Sequence, residues 1–336
     1  MAPPIHVIVP VYNVKPWLER YVASVLSQEG CGLCVVLIDD GYTDGSGDTC
    51  DEFAARDPRV RVIHTPNRGL SAARNLGIEL TMADGAELLT FVDPDDWLEP
   101  GVFAAMDRAL TKSGADLAWC GAESARAGGR TRIRVPVAVT VSGDDMWRAH
   151  LKGDLGVSAW GKLYRAKLFD GLRFPEGRVF EDIATTHRVL MRCECAVAIP
   201  VVGYHYLLRD GSISRTRSMP NIVDAWDAGV QRHSDLTLLL GDRPWARDGL
   251  ERMLAWSISF VWRWTWGCGR EEVCSHASLL ADVSRRARSL PLLGRRGWPL
   301  SDRVGCFFAH FNCDASLAAC HALNVIGSRT KRLLGR

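Results

Sequence analysis

The chain places three carboxylates within four residues, Asp93-Pro94-Asp95-Asp96, directly after the apolar run Leu88-Leu89-Thr90-Phe91-Val92. Neighbouring carboxylates repel one another and are costly to bury unpaired. They become favourable where a hard divalent cation takes their oxygens, and such a cation commonly brings substrate phosphates with it. A strand end is also where open α/β sheets hold ligands. Taken alone, the four residues suit a surface turn or a helix N-cap equally well. A second acidic pair, Asp39-Asp40, ends another apolar run, and a third, Glu181-Asp182, opens a helical stretch. An aspartate that is buried, or that has a like charge beside it, has its pKa raised towards neutrality, as general-base work favours.

The elements that must position these groups follow from periodicity. Ile5-His6-Val7-Ile8-Val9 is fit for a buried strand and runs into Pro10-Val11-Tyr12-Asn13. Residues 15–28 then carry Leu18, Tyr21, Val22, Val25 and Leu26 on a helical period. Residues 33–38 read as a second strand, ending in Asp39-Asp40-Gly41-Tyr42-Thr43-Asp44-Gly45-Ser46, with a helix to about residue 55. Residues 60–64 read as a third strand and 88–92 as a fourth, with a helix between them that opens on polar and basic groups. Strand alternating with helix over about a hundred residues predicts a mainly parallel sheet with right-handed crossovers. The unusual polar residues all fall at strand exits and therefore gather along one sheet edge.

Val9-Pro10-Val11-Tyr12-Asn13, Asp39-Asp40-Gly41, Asn67-x-Gly69-Leu70-Ser71-x-Ala73-Arg74-Asn75 and Asp93-x-Asp95-Asp96 together resemble the nucleotide-sugar site of family-2 inverting glycosyltransferases with the GT-A fold. Order and spacing follow that pattern to about residue 115, and a weaker similarity continues to about Ser214. The resemblance implies an α/β fold of GT-A type, a mixed, mostly parallel sheet flanked by helices. That domain would span residues 1–218, with 1–115 as the nucleotide-sugar half and 116–218 as the acceptor and catalytic-base half. A helical C-terminal region, 219–336, would follow. By the same resemblance Pro10, Val11, Tyr12 and Asn13 line the donor site, with Tyr12 against the base and Asp40 accepting a hydrogen bond from it. Asn67 joins them, Arg74 lies by the base or diphosphate, and Asp93 lies by the ribose or sugar. Asp95 holds Mn²⁺ or Mg²⁺, and Asp93 and Asp96 complete the metal set. Two residues depart from the pattern. Tyr42 replaces the small residue usual after the Asp-Asp-Gly turn, where it either narrows the donor pocket or faces solvent. Pro94 fixes φ within the aspartate loop.

Phe174-Pro175-Glu176-Gly177-Arg178-Val179-Phe180-Glu181-Asp182 resembles the segment of the same enzymes whose final Asp is the base. Asp182 is therefore the candidate base and Glu181 a neighbour that tunes or positions it. A helix start that uses acidic residues to meet the macrodipole is the plainer role, and it does not exclude catalysis. Trp160-Gly161-Lys162-Leu163-Tyr164 resembles the Lys-Leu-Tyr segment before the base. Tyr204-His205-Tyr206-x-x-Arg209-x-Gly211-Ser212-Ile213-Ser214 resembles the aromatic-Arg-Gly-Ser-Ile-Ser stretch after it. Lys162, His205, Arg209 and Ser212 are accordingly expected at the donor, the last three on a loop that closes over the diphosphate and excludes water. A strand followed by a turn is the alternative for that stretch.

The chemistry is coherent in its own terms. Moving a sugar off a nucleoside diphosphate requires charge to be stabilised on the departing diphosphate. A metal bridging its oxygens does this without a proton donor, and a cationic Arg74 would add to it. An aromatic floor supplies binding area under the base, while a carboxylate selects an imide or amide N–H. Single-displacement inversion asks for one base and no enzyme nucleophile. Taken singly, Tyr12 is an ordinary core aromatic and Arg74 an ordinary helix-surface cation; four motifs in register outweigh both.

At 336 residues and 47% hydrophobic composition the chain can bury a large core. A net charge of +2 implies no strong field for nucleic acid. No basic leader precedes the first apolar run. The eleven cysteines, odd in number, read as reduced thiols of the cytoplasm. Cys31-x-x-Cys34 and Cys193-x-Cys195 have no partner pair at zinc-site spacing and read as buried small hydrophobes. Beyond residue 219 the periods are helical over 222–240, 245–266 and 271–288, with arginines frequent at Arg285, Arg286, Arg288, Arg295 and Arg296. The segment bearing Trp256, Trp262, Trp264 and Trp266 is interrupted by Arg263 and is shorter than the roughly twenty residues that span a bilayer. A core helix of a small bundle is the simpler reading, and an interfacial helix with tryptophans at headgroup depth is the other. Shaping the acceptor site, peripheral membrane contact and homo-oligomer formation are the roles open to this region.

The sequence therefore predicts a cytoplasmic, metal-dependent, inverting hexosyl- or N-acetylhexosaminyl-transferase, with the inner face of the cell membrane as its expected station. Its donor would be a nucleoside-diphosphate sugar, UDP-linked in preference to GDP- or TDP-linked. Its acceptor would be a cell-surface glycan, a teichoic-type polymer or a lipid-linked oligosaccharide. A nucleotidyltransferase shares the sheet and the metal aspartates but ordinarily carries a glycine-rich, basic loop where this chain has Pro10-Val11-Tyr12-Asn13. A non-catalytic sugar-nucleotide binder would lack the metal or base carboxylates, and both are present.

Overall fold

β1 (Ile5–Val11) is buried along its whole length, as an unbroken apolar run requires of a strand covered on both faces. In the computed structural model it pairs in parallel with β2 (Leu33–Asp40) on one side and β4 (Leu88–Phe91) on the other. β3 (Val60–Thr65) extends the parallel run beyond β2. The structure describes residues 3–125, 132–209, 212, 216–291, 295 and 297–310. The chain divides into two compact units, Met1–Ser212 and Ile213–Arg336.

The sheet of the first unit runs β3-β2-β1-β4-β9-β6-β10-β5, with β7 added to β6 and β8 to β10. Its later strands are β5 (Trp97–Leu98), β6 (Leu117–Ala125), β7 (Arg132–Arg134), β8 (Val139–Ser142), β9 (Lys162–Arg165) and β10 (Cys195–Leu207). β9 enters antiparallel between β4 and β6, so the sheet is mixed, while β6 and β10 run parallel. Strand order reverses between β2 and β4 around β1, and ligands of open α/β sheets sit at such a switch point.

One face is packed by α1 (Lys15–Leu26) and α4 (Val102–Ser113), whose Leu18, Val22, Phe103 and Met106 join Val7, Val9, Val35 and Leu37. α2 (Ser46–Arg56) follows the β2 exit. The other face is packed by α3 (Leu70–Ala83), with Ala73, Leu76 and Leu80 on Val36 and Ile38. α3 can lie this close because a Cβ at Gly77 would meet Ile8 Cγ2 at 2.3 Å. α5 (Gly143–Lys152) and α6 (Glu181–Leu190) complete the unit, with a short 3-10 turn over Ala166–Phe169. The α/β layers are those the sequence predicts, and each of the four strand–helix readings through residue 92 lies within a few residues of the observed element.

The second unit is helical: α7 (Met219–Leu240), α8 (Arg247–Thr265), α9 (Arg270–Cys274), α10 (Ala277–Ala287) and α11 (Leu300–His310). Its core gathers Ile222, Trp226, Leu254, Ile258, Trp262, Val283 and Trp298, and Trp262 is fully buried. The indole N–H groups of Trp226 and Trp298 donate to Asp282 and Asp248, satisfying the polar edge of rings that are otherwise buried. α8 is thus a core helix, as its simpler reading has it. Among the described residues no helix is long and apolar enough to cross a membrane. The nine cysteines of the described residues are free thiols; Cys193 is buried, but Cys31, Cys34 and Cys195 are only half-buried, less than the sequence reading expects.

Candidate active site

Four strand exits on one edge of the first unit carry the polar groups. At the β1 exit, Pro10 and Val11 are buried in the sheet. Tyr12 is 46% exposed. Asn13 adopts φ 51°, uncommon for a residue with a side chain. Its amide is tied to Thr43, accepting from the Thr43 N–H at 2.8 Å and donating to Thr43 Oγ1 at 3.0 Å. Asn13 therefore braces the turn after β2, and Tyr12 is the residue of this stretch that offers a free ring.

At the β2 exit, both Asp40 oxygens accept from the backbone, from Arg68 N–H and Gly69 N–H at 2.7 Å each. This fixes the loop before α3 and leaves Asn67 exposed on its rim. Gly41 is needed there, since a Cβ would meet the Asn67 nitrogen at 2.7 Å in a left-handed residue (φ 73°). Tyr42 does not enter a pocket: its ring lies on Gly47 and its hydroxyl donates to Asp48 at 2.6 Å. Asp39, 2% exposed, is held by His64 Nδ1 at 2.7 Å, and Asp51 holds the other ring nitrogen at 3.0 Å. Those two hydrogen bonds raise the His64 pKa.

At the β4 exit the three aspartates part ways. Asp93 Oδ1 accepts from Arg74 at 2.7 Å. Asp95 Oδ2 accepts from Arg209 Nε at 2.6 Å, and the Arg209 guanidinium also lies 4.5 Å from the Trp17 ring centroid. The Asp93 and Asp95 side chains retain 22% and 16% exposure. Burial first, and then the Asp93 charge, raise the Asp95 pKa. Asp96 is different. It is fully buried and accepts from the Tyr204 hydroxyl at 2.6 Å and the Leu207 N–H at 2.7 Å. Tyr204 in turn accepts from Asp93 N–H at 3.1 Å. Asp96 locks the aspartate turn onto β10 and, with both oxygens engaged inside the protein, does not join a metal set.

Arg74 is also placed differently from the sequence expectation. Its side chain is 3% exposed, and its guanidinium bridges Asp93 and Glu181. Burial would lower its pKa, but Asp93, Glu181 and Asp182 outweigh that and raise it. The next residue acts in parallel: Asn75 donates to the Phe174 carbonyl at 2.9 Å and accepts from the Phe174 N–H at 2.8 Å. Arg68 reaches Glu176 at 2.8 Å. The segment from Phe174 to Asp182 is thus tethered to the first turns of α3. Phe180 precedes α6 at φ 60°, a strained conformation that the tethers over-determine. Asp182 Oδ1 accepts from Ile183 N–H at 2.7 Å, so it serves the helix start as well. Burial and then the Glu181 charge push the Asp182 carboxyl up to about 7, against the opposing pull of Arg74.

The remaining expected donor contacts divide. Lys162 is 2% exposed and donates to the Ser158 carbonyl at 2.6 Å. Burial brings its pKa down to about 8, although Asp182 pulls the other way. His205 is 6% exposed, lies 2.7 Å from Glu99 and 3.0 Å from Glu123, and stacks on Trp97 at 4.8 Å. Both are internal braces and do not face an open donor surface. Arg209 stands at the rim, Ser212 is half-exposed, and Gly211, Ile213 and Ser214 lie outside the described residues. A cavity of about 300 Å³ beside α3 is lined by Asp40, Arg68, Asn75 and Glu176 but not by Tyr12, Asp93, Asp95 or Asp182. The expected base and metal carboxylates therefore lie along the strand exits and do not line that cavity. Among the described residues no group of three or more His, Cys, Asp or Glu side chains is placed to hold a metal ion.

A family model, Glycosyl transferase family 2, matches residues 6–172. Glycosyltransferase GlyG of Streptococcus pneumoniae serotype 4 is 32% identical over 232 residues, covering 64% of this chain and 74% of that protein. The chain belongs to glycosyltransferase family 2. Glycosyltransferase GlyA of the same organism is 34% identical over 234 residues, and there the match spans 66% of this chain but only 33% of GlyA. The family-2 fold also extends to solved structures. Residues 1–349 of S. aureus TarS with UDP-GlcNAc superpose at a TM-score of 0.63 and 17% identity, covering 99% of this chain and 92% of that one. The mannosyltransferase PcManGT of Pyrobaculum calidifontis, with GDP-Man and Mn²⁺, gives 0.52 and 16%, covering 96% and 88%. The chain thus shares the GT-A fold of that family. What its motifs did not disclose is that Glu181 pairs with Arg74, Tyr204 with Asp96 and Trp17 with Arg209. Their partners lie far away in sequence, 107 residues in the case of Arg74 and Glu181.

Proposed function

We propose that this glycosyltransferase moves a hexosyl or N-acetylhexosaminyl group from a UDP-sugar to a hydroxyl of a cell-surface glycan or lipid-linked acceptor, with inversion at the anomeric carbon. The observation that carries the reading is the tether that brings Asp182 to the aspartate shelf: Arg74 joins Asp93 to Glu181, and Asn75 clamps Phe174. One carboxylate with a pKa of about 7 beside a nucleotide shelf is what single displacement requires. Tyr12 supplies a stacking face for the base, and Asp40 shapes the loop that borders it. Asp182 takes the proton of the acceptor hydroxyl as its oxygen attacks. UDP is favoured because UDP and UDP-GlcNAc are the ligands named for the TarS structures.

Asp93 and Asp95 would hold a divalent cation: they are hard oxygen donors, partly exposed, and the burial and then the Asp93 repulsion that raise Asp95 are what such an ion would offset. When bound, the ion would stabilise negative charge on the departing diphosphate. Mn²⁺ is the ion named for PcManGT, and Mg²⁺ offers the same chemistry. Free thiols throughout the described residues fit a reducing compartment, and we place the enzyme in the cytoplasm. The test is product analysis after incubation with a panel of UDP-, GDP- and TDP-sugars and glycan acceptors. The expected result is a nucleoside diphosphate and a glycoside of inverted anomeric configuration by NMR. A retained configuration, or pyrophosphate release, would overturn the reading.

A further inference from the structure

A buried ammonium is costly unless an anion answers it. Lys162 is such a group. It is 2% exposed, and its Nζ donates to the Ser158 carbonyl at 2.6 Å and to the Ser158 hydroxyl at 3.4 Å, both neutral. The loop around it is fixed. Three successive carbonyls are each taken by a side chain: Val157 by the Thr186 hydroxyl, Ser158 by Lys162, and Ala159 by the Tyr164 hydroxyl at 2.8 Å. Gly156 closes on the ammonium, since a Cβ there would lie 3.9 Å from Nζ.

That loop reaches the candidate base through α6. Asp182 and Thr186 are four residues apart on α6 and therefore share a face. Thr186 grips the carbonyl next to the one that Lys162 grips, so the ammonium is held one residue along the loop from its contact with α6. Two titratable side chains act on Lys162, namely Asp182 and Cys120. Burial pushes the Cys120 thiol up to about 12 and keeps it protonated, so Asp182 is the anion. Around Asp182 stand Glu181, Asp93, Arg74 and the Tyr164 phenol, which burial keeps neutral. Arg74 is already shared between Asp93 and Glu181. Asp93, Glu181 and Asp182 thus face one guanidinium, and Lys162 supplies a second buried cation.

We infer that Lys162 is a positioning residue for proton transfer: held by Ser158 beside α6, its ammonium stabilises the ionised form of Asp182. The inference rests on the reading of Asp182 as the base. An opposite charge within about 4–6 Å lowers a carboxylate pKa by roughly 1–3 units, and a more distant one by less. Arg74 pulls hardest on Asp182, and Lys162 acts beside it because the attraction of two charges is mutual. Removing the ammonium leaves burial, Glu181 and Asp93 opposed by Arg74 and the Ile183 N–H. The Asp182 carboxyl then rises further, and less of it is ionised at neutral pH.

The test compares the full chain as wild type, Lys162→Gln, Lys162→Met and Asp182→Asn. Gln keeps a donor for the Ser158 carbonyl and Met keeps the apolar stem, while both remove the charge. Turnover is followed across pH as nucleotide release from the most active UDP-sugar. In both variants the acid limb should move up by about one unit, giving roughly tenfold slower turnover at pH 6 and rates within a few-fold of wild type above the limb. A brace with no electrostatic role would lower the plateau and leave the limb in place. A second measurement leaves Lys162 intact and decides the matter where its variants fail to fold. NMR of the lysine ε-methylenes should show Lys162 titrating at about 8 in wild type and at lower pH in Asp182→Asn. An unmoved limb in a folded Lys162 variant, or Lys162 titrating at the same pH in Asp182→Asn, would overturn the inference while Asp182→Asn remains inactive. Turnover retained by Asp182→Asn would instead overturn the base assignment, and this inference with it.

Discussion

Replacing Asp182 by Asn removes a proton acceptor without changing side-chain shape, and the structure gives two linked consequences. The first is kinetic. With its carboxyl at about 7, the wild type should gain turnover tenfold per pH unit below that value and level off above it. Asp182→Asn should lack this limb and be slower by about 10²–10⁴, the usual range for a lost general base. The second is thermodynamic and has a definite sign. The folded pKa is raised above the ordinary 3.8, so the group costs nothing below about pH 4, where both states are protonated. Between about 4 and 7 the unfolded chain ionises first, and wild-type stability falls as pH rises. Moving a carboxyl from 3.8 to about 7 corresponds to ~4 kcal/mol at 1.36 kcal/mol per pH unit, and solvent at its open edge reduces this to about 2–4. The Asn variant escapes that penalty while its amide oxygen still accepts from Ile183 N–H. Denaturant unfolding at pH 4 and pH 8, beside a pH–rate profile that follows nucleotide release, measures both. Matched stability at pH 4 with a more stable variant at pH 8 is the expected result. Turnover within a few-fold of wild type, or a wild-type acid limb near pH 4, would refute the assignment.

Arg74→Met should destabilise the fold by about 3–5 kcal/mol, because Asp93 and Glu181 then face each other without the cation that pairs them; thermal and denaturant unfolding report it, and a loss below about 1 kcal/mol would show that the bridge is dispensable. Tyr12→Ala should weaken UDP affinity in calorimetry by on the order of tenfold, with little change in melting temperature since the ring is already 46% exposed. Tyr12→Phe should retain that affinity. Asp95→Asn should bind UDP much less tightly in the presence of Mn²⁺ and show no turnover, whereas equal wild-type affinity with and without a chelator would remove the cation from the site.

The fold, and the strand exits that carry the candidate site, were legible because both rest on local pattern. Apolar runs that end in acids or turn residues show strand exits, and a fully apolar Ile5-to-Val9 run shows a strand covered on both faces. What local pattern does not encode is the partner of a polar group. Arg74 was expected at the base or diphosphate from the family resemblance of its motif. The anions it binds are Asp93 and Glu181, and the second lies 107 residues away. Asp96 was expected to support the metal shell of Asp95, yet alternation along the turn buries it under Tyr204, 108 residues on. Lys162 and His205 were legible as unusual residues but not as internal ones, since nothing in either segment states that Lys162 donates to Ser158 or that His205 lies between Glu99 and Glu123.

These displaced expectations share one physical cause, and it bears on how the site works. A shelf that must present carboxylates to a cation and a base to an acceptor concentrates negative charge in a partly dry place. Asp93, Asp95, Asp96, Glu181 and Asp182 would repel one another without compensation. The fold compensates with internal donors: Arg74 between Asp93 and Glu181, Tyr204 on Asp96, Arg209 on Asp95. Burial raises Asp95 and Asp96 as well, but both are committed to those internal donors, whereas among the described residues Asp182 accepts from the Ile183 N–H and feels the more distant charges of Arg74 and Lys162, which suits it to exchange a proton near its pKa of about 7. Adding a second strong donor to Asp182 would lower its pKa and make it a weaker base. The sparse hydrogen bonding at Asp182 is, on this argument, as necessary to proton transfer as the dense bonding around its neighbours is to holding the shelf together.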